Sequence, residues 1–298
     1  MNRGHAGTKV PACLLVAAGA VFLLAPPVLG QKPTFSSRAV VVRVDVLATD
    51  NGKPVAGLVA SDFELLDNDV PQRVDSVNRG DLPVNAVIAL DVSASTHGQA
   101  LTEMVVAGDA LIDALHPEER ASLTTFSHVV APLVPLTTDH ASVRSALDAA
   151  VPSGQTAIID GVYVAMMTAQ SDDGRPLVVV FTDGLDTVSW LRDADLISAT
   201  KRASAVIYTV ATGPARQWQF LKDLATATGG RAIALDSAKN LQAEFLRILT
   251  EFRSRYLLSY SPQGVEDTGY HRLTVRSTRR GVTVTARPGY TAGAPRVP

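Results

Sequence analysis

Between residues 84 and 90 the chain is almost uninterrupted in apolar side chains, with only Asn85 breaking the run Val84 to Leu90. A run of that length suits a strand covered on both faces, as in a parallel sheet. A helix over 98–115 follows. The alternation then repeats through strand 122–126, a short strand near 129–133, helices 140–151 and 156–169, and strand 177–181. Helix 193–203, strand 205–210, helix 217–228, strand 232–235 and helix 238–252 complete the series. Strands alternating with helices predict an open, mostly parallel α/β sheet with right-handed crossovers. In the last helix Leu241, Phe245, Ile248 and Phe252 share one face, the spacing of a helix that packs on a core.

The flanks have a different texture. Over 39–48 apolar and polar residues alternate, with Val42, Val44 and Val46 in step, as in a half-buried strand. Asp50-Asn51-Gly52 is a strong turn signal. Two short strands, 63–66 and 72–77, follow on either side of Asp67-Asn68-Asp69. After residue 253 the chain returns to β, at 256–260, 270–276 and 282–287, and the last two read as a hairpin through Arg279-Arg280-Gly281. Each flank is too short to bury much surface alone. The expected organisation is a front β segment over 31–80, an α/β domain over 81–252 and a rear β segment over 253–298, the two β segments packing together as one small module.

Residues 1–30 carry the marks of an export signal: Arg3 and Lys9 ahead of an apolar core at 12–25, then small residues up to Gly30. The apolar stretch before Pro26 is about 15 residues, short of the ~20 that span a bilayer, so no membrane span is expected in the mature chain. Export places the protein in the periplasm or outside the cell. Cys13, the only cysteine, lies inside the signal, so disulfides, thiolate metal sites and a cysteine nucleophile drop out together. A formal net charge of −2 lacks the basic excess that nucleic-acid binding requires.

In open parallel sheets ligands sit beyond the carboxyl ends of the strands, where strand order reverses. Asp91 ends strand 84–90 and opens Asp91-Val92-Ser93-Ala94-Ser95; Asp183 ends strand 177–181 in Phe181-Thr182-Asp183-Gly184; Thr156 precedes helix 156–169. Singly, each has an ordinary reading. Serine and threonine cap helices, and Asp-Gly is a turn dipeptide. Jointly, three loops on one predicted rim present small oxygen donors. Such a set suits a hard cation, Mg²⁺ or Ca²⁺. Ser93, Ser95 and Thr156 supply neutral hydroxyls, while Asp91 and Asp183 supply charge directly or by orienting bound water. With few direct anions the ion stays electrophilic, and a carboxylate from a protein partner is the natural further ligand.

These residues resemble the metal-ion-dependent adhesion site of the von Willebrand factor A family, an Asp-x-Ser-x-Ser loop with a distant threonine and a distant aspartate. Asp91, Ser93 and Ser95 match the loop, Thr156 the threonine and Asp183 the last aspartate. The resemblance implies a Rossmann-like sheet wrapped by helices over roughly 84–252, a divalent cation with Mg²⁺ favoured over Mn²⁺ or Ca²⁺, a protein partner, and binding rather than turnover. A narrower likeness, to bacterial exported proteins with a von Willebrand factor A-related domain, rests on Gly52-Lys53-Pro54-Val55, Leu58 and Asp62-Phe63-Glu64 in front. At the rear it rests on Tyr260-Ser261-Pro262, Tyr270-His271 and Arg287-Pro288-Gly289-Tyr290.

Six histidines show no His-x-x-x-His pairing, so zinc ligation has little support; His97 and His128 are placed to approach the rim but receive no role. Gly-x-Ser-x-Gly, a phosphate loop and Gly-x-Gly-x-x-Gly are all missing from the sequence. The basic residues Arg253, Arg255, Arg276, Arg279 and Arg280 read as solvated strand or helix ends. The competing function is a metal-dependent hydrolase or phosphotransferase, because aspartates at strand ends can hold catalytic Mg²⁺. An aspartyl phosphatase usually carries a second acid two residues after the first, where this chain has Ser93.

Overall fold

The computed structural model describes residues 41–80, 82–170, 173–183, 185–212, 219–235 and 238–293. The expected export signal with Cys13, the first two residues of strand 39–48, Gly184 and the start of helix 217–228 lie outside the described residues. The front segment holds β1 (Val42–Asp50), β2 (Lys53–Pro54), β3 (Phe63–Asp67), β4 (Val70–Gln72) and β5 (Ser76–Arg79). Next come β6 (Val84–Asp91), α1 (Gln99–Asp113), β7 (Arg120–Phe126), β8 (Val130–Thr137), α2 (His140–Asp148) and α3 (Ile158–Thr168). They are followed by β9 (Arg175–Thr182), α4 (Asp193–Thr200), β10 (Val206–Thr212), α5 (Gln219–Ala227), β11 (Ala232–Leu235) and α6 (Leu241–Ser254). The rear segment adds β12 (Tyr256–Tyr260), β13 (Gly269–Ser277), β14 (Thr283–Ala286) and β15 (Gly289–Ala292).

Among the described residues six strands form the central sheet in the order β11-β10-β9-β6-β7-β8. All pairs are parallel except β7 with β8. The run 84–90 sorts by parity: Ile88 and Leu90 join a core with Met104 and Leu111 of α1, Leu147 of α2 and Phe245 of α6. Val87 and Ala89 join a second core with Val162 of α3, Leu196 of α4 and Leu224 of α5. A continuous apolar run is therefore the signature of two covered faces. Successive strands run outward from β6 on one side and then from β9 on the other. Strand order reverses between β6 and β9, and their carboxyl ends are where open parallel sheets place ligands.

Front and rear segments pair with one another in two antiparallel sheets, β14-β1-β12-β5 with β2 on β1, and β15-β13-β3-β4. They share a core that includes Val44, Val46, Leu65, Leu258, Tyr260 and Leu273. Two tight hairpins turn on paired positive φ: Asn51 at 49° with Gly52 at 76°, and Asn68 at 47° with Asp69 at 65°. Both turns suit the right-handed twist of the strands they join.

Several expected boundaries shift. The expected strand 72–77 is two strands in different sheets: β4 ends at Gln72 on β3, and β5 begins at Ser76 on β12. The expected hairpin of 270–276 with 282–287 does not form. β13 pairs with β3 and β15, whereas β14 adds to the edge of β1. Between them the chain turns a corner fixed by Arg279, whose Nε and Nη2 each donate to Asp62 at 2.9 Å. Helix 140–151 stops at Asp148 as α2, because Pro152 disfavours helical backbone just before it. Among the described residues no helix is long and apolar enough to cross a membrane.

Candidate metal centre

β6 ends at Asp91 and β9 at Thr182, neighbouring strands at the point where strand order reverses. Asp91 is fully buried, and both of its carboxylate oxygens are held: Oδ1 accepts the Ser93 N–H at 2.9 Å, and Oδ2 accepts the Thr182 hydroxyl at 2.6 Å. Ser93 and Ser95 hydroxyls lie 2.9 Å apart, and the Ser95 hydroxyl donates to Asp183 Oδ1 at 2.8 Å. Since Ser95 has a single proton and gives it to Asp183, Ser93 is the donor to Ser95. Asp91, Ser93, Ser95 and Asp183 thus form one connected group drawn from two strand ends.

Thr156 joins through the backbone of its loop. Ala94 N–H donates to Gly154 O at 3.0 Å and Ser153 N–H to Val92 O at 2.8 Å, which stitches the 153–156 loop onto the donor loop. On its other side Thr156 N–H donates to the Thr187 hydroxyl at 3.0 Å, while Thr187 N–H donates to Thr156 O at 2.9 Å. α3 begins at Ile158 with Ala157, not Thr156, at the cap position. Ser93, although it precedes a 3-10 turn, makes no side-chain cap. Thr156 thus stands one residue before the cap position of α3, and Ser93 occupies a cap position without using its hydroxyl there. The α3 amino end is met instead by Asp186, whose carboxylate accepts Ile159 N–H at 3.0 Å, as the helix dipole favours.

Exposure is graded across the group. Asp91 and Ser93 are buried, Thr156 is 6% exposed, Asp183 is half-buried and Ser95 is open to solvent. Burial pushes the Asp91 carboxyl above its ordinary range, and the neighbouring charge of Asp183 adds to the rise, against hydrogen bonds from Ser93 and Thr182. Two carboxylates with three hydroxyls, and no sulfur or imidazole among them, form an all-oxygen set that could hold a hard cation, which would relieve that repulsion. No cluster of three or more His, Cys, Asp or Glu at coordinating separation occurs among the described residues. Any metal here must therefore lean on hydroxyls. His128 packs its ring on Gly154, where an added Cβ would lie 1.9 Å from Nδ1. Thr182, Asp186 and Thr187 were not singled out by sequence reasoning. For Thr182 the available signal was its place beside Asp183 at a strand end.

This fold and this rim define a class. Residues 86–185 match the sequence model of the von Willebrand factor type A domain, and the chain carries a domain of that family. Among solved structures, von Willebrand factor type A from Catenulispora acidiphila is 12% identical, with a TM-score of 0.50 over 87% of this chain and 74% of that one. Proximal thread matrix protein 1 from the mussel byssus, with a zinc occupied MIDAS motif, is 16% identical, with a TM-score of 0.53 over 62% of this chain and 50% of that one. This chain thus spans half the length of the mussel protein it matches. At such identities the likeness concerns the fold.

Proposed function

We propose that Asp91, Ser93, Ser95, Thr156 and Asp183 bind a divalent cation, Mg²⁺ before Mn²⁺ or Ca²⁺, and that the protein uses it to grip a protein partner. The carrying observation is the hydrogen-bonded run from Asp91 through Ser93 and Ser95 to Asp183, assembled from two strand ends that are 91 residues apart at Asp91 and Thr182. When bound, the cation would supply an electrophilic position for a partner's carboxylate. Asp91 orients the donor loop from below, and Ser95 and Asp183 face solvent. Exposed apolar side chains stand on the same loops: Val151 before the Thr156 turn, Leu185 after Asp183, and Trp190, which is 95% exposed. Asp160 holds the backbone of that tryptophan loop, accepting N–H of Trp190 at 2.9 Å and of Leu191 at 3.0 Å. These side chains, Trp190 above all, offer the aromatic and apolar contact area in which protein interfaces are enriched.

The protein is a binding module rather than an enzyme, and it works in the periplasm or outside the cell, in line with the signal-like residues 1–30. The test is a melting curve of the full chain with chelator, Mg²⁺ or Mn²⁺. At a hundredfold excess over Kd, a single site stabilises by about 2.7 kcal/mol. That corresponds to roughly 5–10 °C for a chain of this size. Asp183→Ala should abolish the shift and any chelator-sensitive capture of partner. Absence of a metal response in the native chain would refute the cation site, and Mg²⁺-dependent turnover of generic phosphoesters lost in Asp91→Asn would refute the non-enzymatic reading.

A further inference from the structure

At the other end of the parallel sheet, a cavity of about 120 Å³ is lined by Arg43 of β1, Arg175 at the start of β9, Arg287 beyond β14, and one carboxylate, Asp45. The eight residues of β9 separate it from the metal rim by roughly 23 Å at the usual rise of a strand. Asp45 is already shared. Its Oδ1 accepts Arg175 Nη2 at 2.7 Å and Arg255 Nε at 2.9 Å, and its Oδ2 accepts Arg175 Nε at 3.2 Å. One carboxylate therefore serves two guanidiniums whose side chains are 3% and 1% exposed.

Arg287 has no carboxylate at ion-pairing distance among the described residues. It donates to three carbonyls, Gly289 O at 2.8 Å, Ala203 O at 2.9 Å and Lys201 O at 3.1 Å. Burial lowers its pKa to about 10, as expected of a guanidinium without a counterion. Exposed Arg43 likewise has no carboxylate at ion-pairing distance among the described residues. The lining thus sets three guanidiniums against one carboxylate. The carbonyl end of α4 offsets at most about half a charge.

We propose that this cavity binds a small tetrahedral oxyanion of the phosphate or sulfate class, held by Arg43, Arg175 and Arg287. Asp45 is taken up by the two buried guanidiniums, and an anion here would give a counterion to half-buried Arg287 and exposed Arg43, which it does not serve. Each guanidinium carries five N–H donors in a planar fork that matches oxyanion geometry. Arg175 spends two on Asp45 and Arg287 spends three on carbonyls, which leaves donors on both. The cavity is smaller than the ~300–1,000 Å³ of pockets that enclose drug-sized ligands, which favours an inorganic ion over a nucleotide or peptide.

The test uses the full chain, without added divalent cation, melted and titrated calorimetrically as sodium chloride is exchanged for phosphate, sulfate or acetate at fixed ionic strength. Phosphate and sulfate should raise Tm in a saturable way, and acetate should not. Arg43→Gln changes an exposed side chain and leaves the buried network in place, so it should fold normally and bind at least tenfold more weakly. Asp183→Ala, at the far end of the sheet, should respond like the native chain, which keeps this site separable from the cation rim. Equal melting in phosphate and chloride, an unaltered affinity in Arg43→Gln, or an acetate response equal to that of phosphate would overturn the assignment.

Discussion

Replacing Asp45 by asparagine removes the charge that joins β1 to the central domain while keeping the side chain's size. Arg175 and Arg255 would each lose a charge-assisted hydrogen-bond partner inside the protein. Breaking a buried pair by removing one member typically costs about 3–5 kcal/mol, because the remaining charge stays buried. The low end applies here. Arg175 keeps its place over the Phe252 ring, at 4.6 Å, and Arg255 keeps its bonds to Gly229 O at 2.8 Å and to the Tyr208 hydroxyl at 3.3 Å. A loss of about 3 kcal/mol, or roughly 6–12 °C in Tm, is therefore expected at neutral pH. Urea unfolding followed by circular dichroism measures it, with Asp50→Asn as control. Asp50 is exposed and holds only its neighbour Asn51 at 2.9 Å, so that change should stay within about 0.5 kcal/mol. Combined with Arg255→Met, Asp45→Asn should cost less than the two single changes added, by roughly 0.5–3 kcal/mol, since one stranded charge has gone. A loss below 1 kcal/mol for Asp45→Asn, or strict additivity in the cycle, would show that the network does not carry the energy assigned to it here.

Two further substitutions probe packing and the rim. Gly161 of α3 sits where an added Cβ would come within 2.5 Å of buried Phe126, so Gly161→Ala should cost about 1–3 kcal/mol in the same unfolding assay. Gly108→Ala meets only the Cδ2 tip of Leu147 at 2.5 Å, and the smaller loss expected there is the comparison. Thr182→Val keeps the shape of the strand end but deletes the 2.6 Å bond to Asp91. It should weaken the cation response about 10–100-fold, as loss of a ligand's supporting hydrogen bond does. It should also cost about 1–3 kcal/mol with chelator present. An unchanged cation titration would remove Thr182 from the positioning of Asp91.

The central sheet is readable from sequence because parallel strands buried on both faces leave apolar runs such as 84–90 and 177–181, and the donor loop is readable because Asp91, Ser93 and Ser95 lie within five residues. Strand pairing is a different matter. Period-two alternation says which side of a strand is buried and nothing about its neighbour, so 270–276 and 282–287 look like partners although one belongs to β3 and the other to β1. The same limit merges the end of β4 with the start of β5. Long-range charge pairing is the least legible of all. Asp45 stands 130 residues from Arg175 and 210 from Arg255, and no local pattern marks them as partners.

The arginines of the rear segment show what that reading lacks. Taken as solvated ends, Arg253 and Arg255 instead reach inward, Arg253 onto Glu119 and Arg255 to a position 1% exposed. In a strand-helix-strand crossover the helix runs back against the strands, so helix carboxyl ends gather at the amino ends of the parallel strands. Those ends leave carbonyls unsatisfied and carry partial negative charge. The rear segment supplies the donors: Arg253 Nη2 reaches Ala114 O after α1 at 2.9 Å, and Arg255 Nη2 reaches Gly229 O after α5 at 2.8 Å. Arg287 reaches Lys201 O and Ala203 O after α4, at 3.1 Å and 2.9 Å. The rear β strands are thereby fastened to the end of the sheet that needs cations, while the carboxylates Asp91, Asp183 and Asp186 gather at the opposite end, where helix amino termini favour them. The polarity of the parallel sheet accounts for both placements, and each arginine acquires a reason to reach inward that its local sequence does not contain.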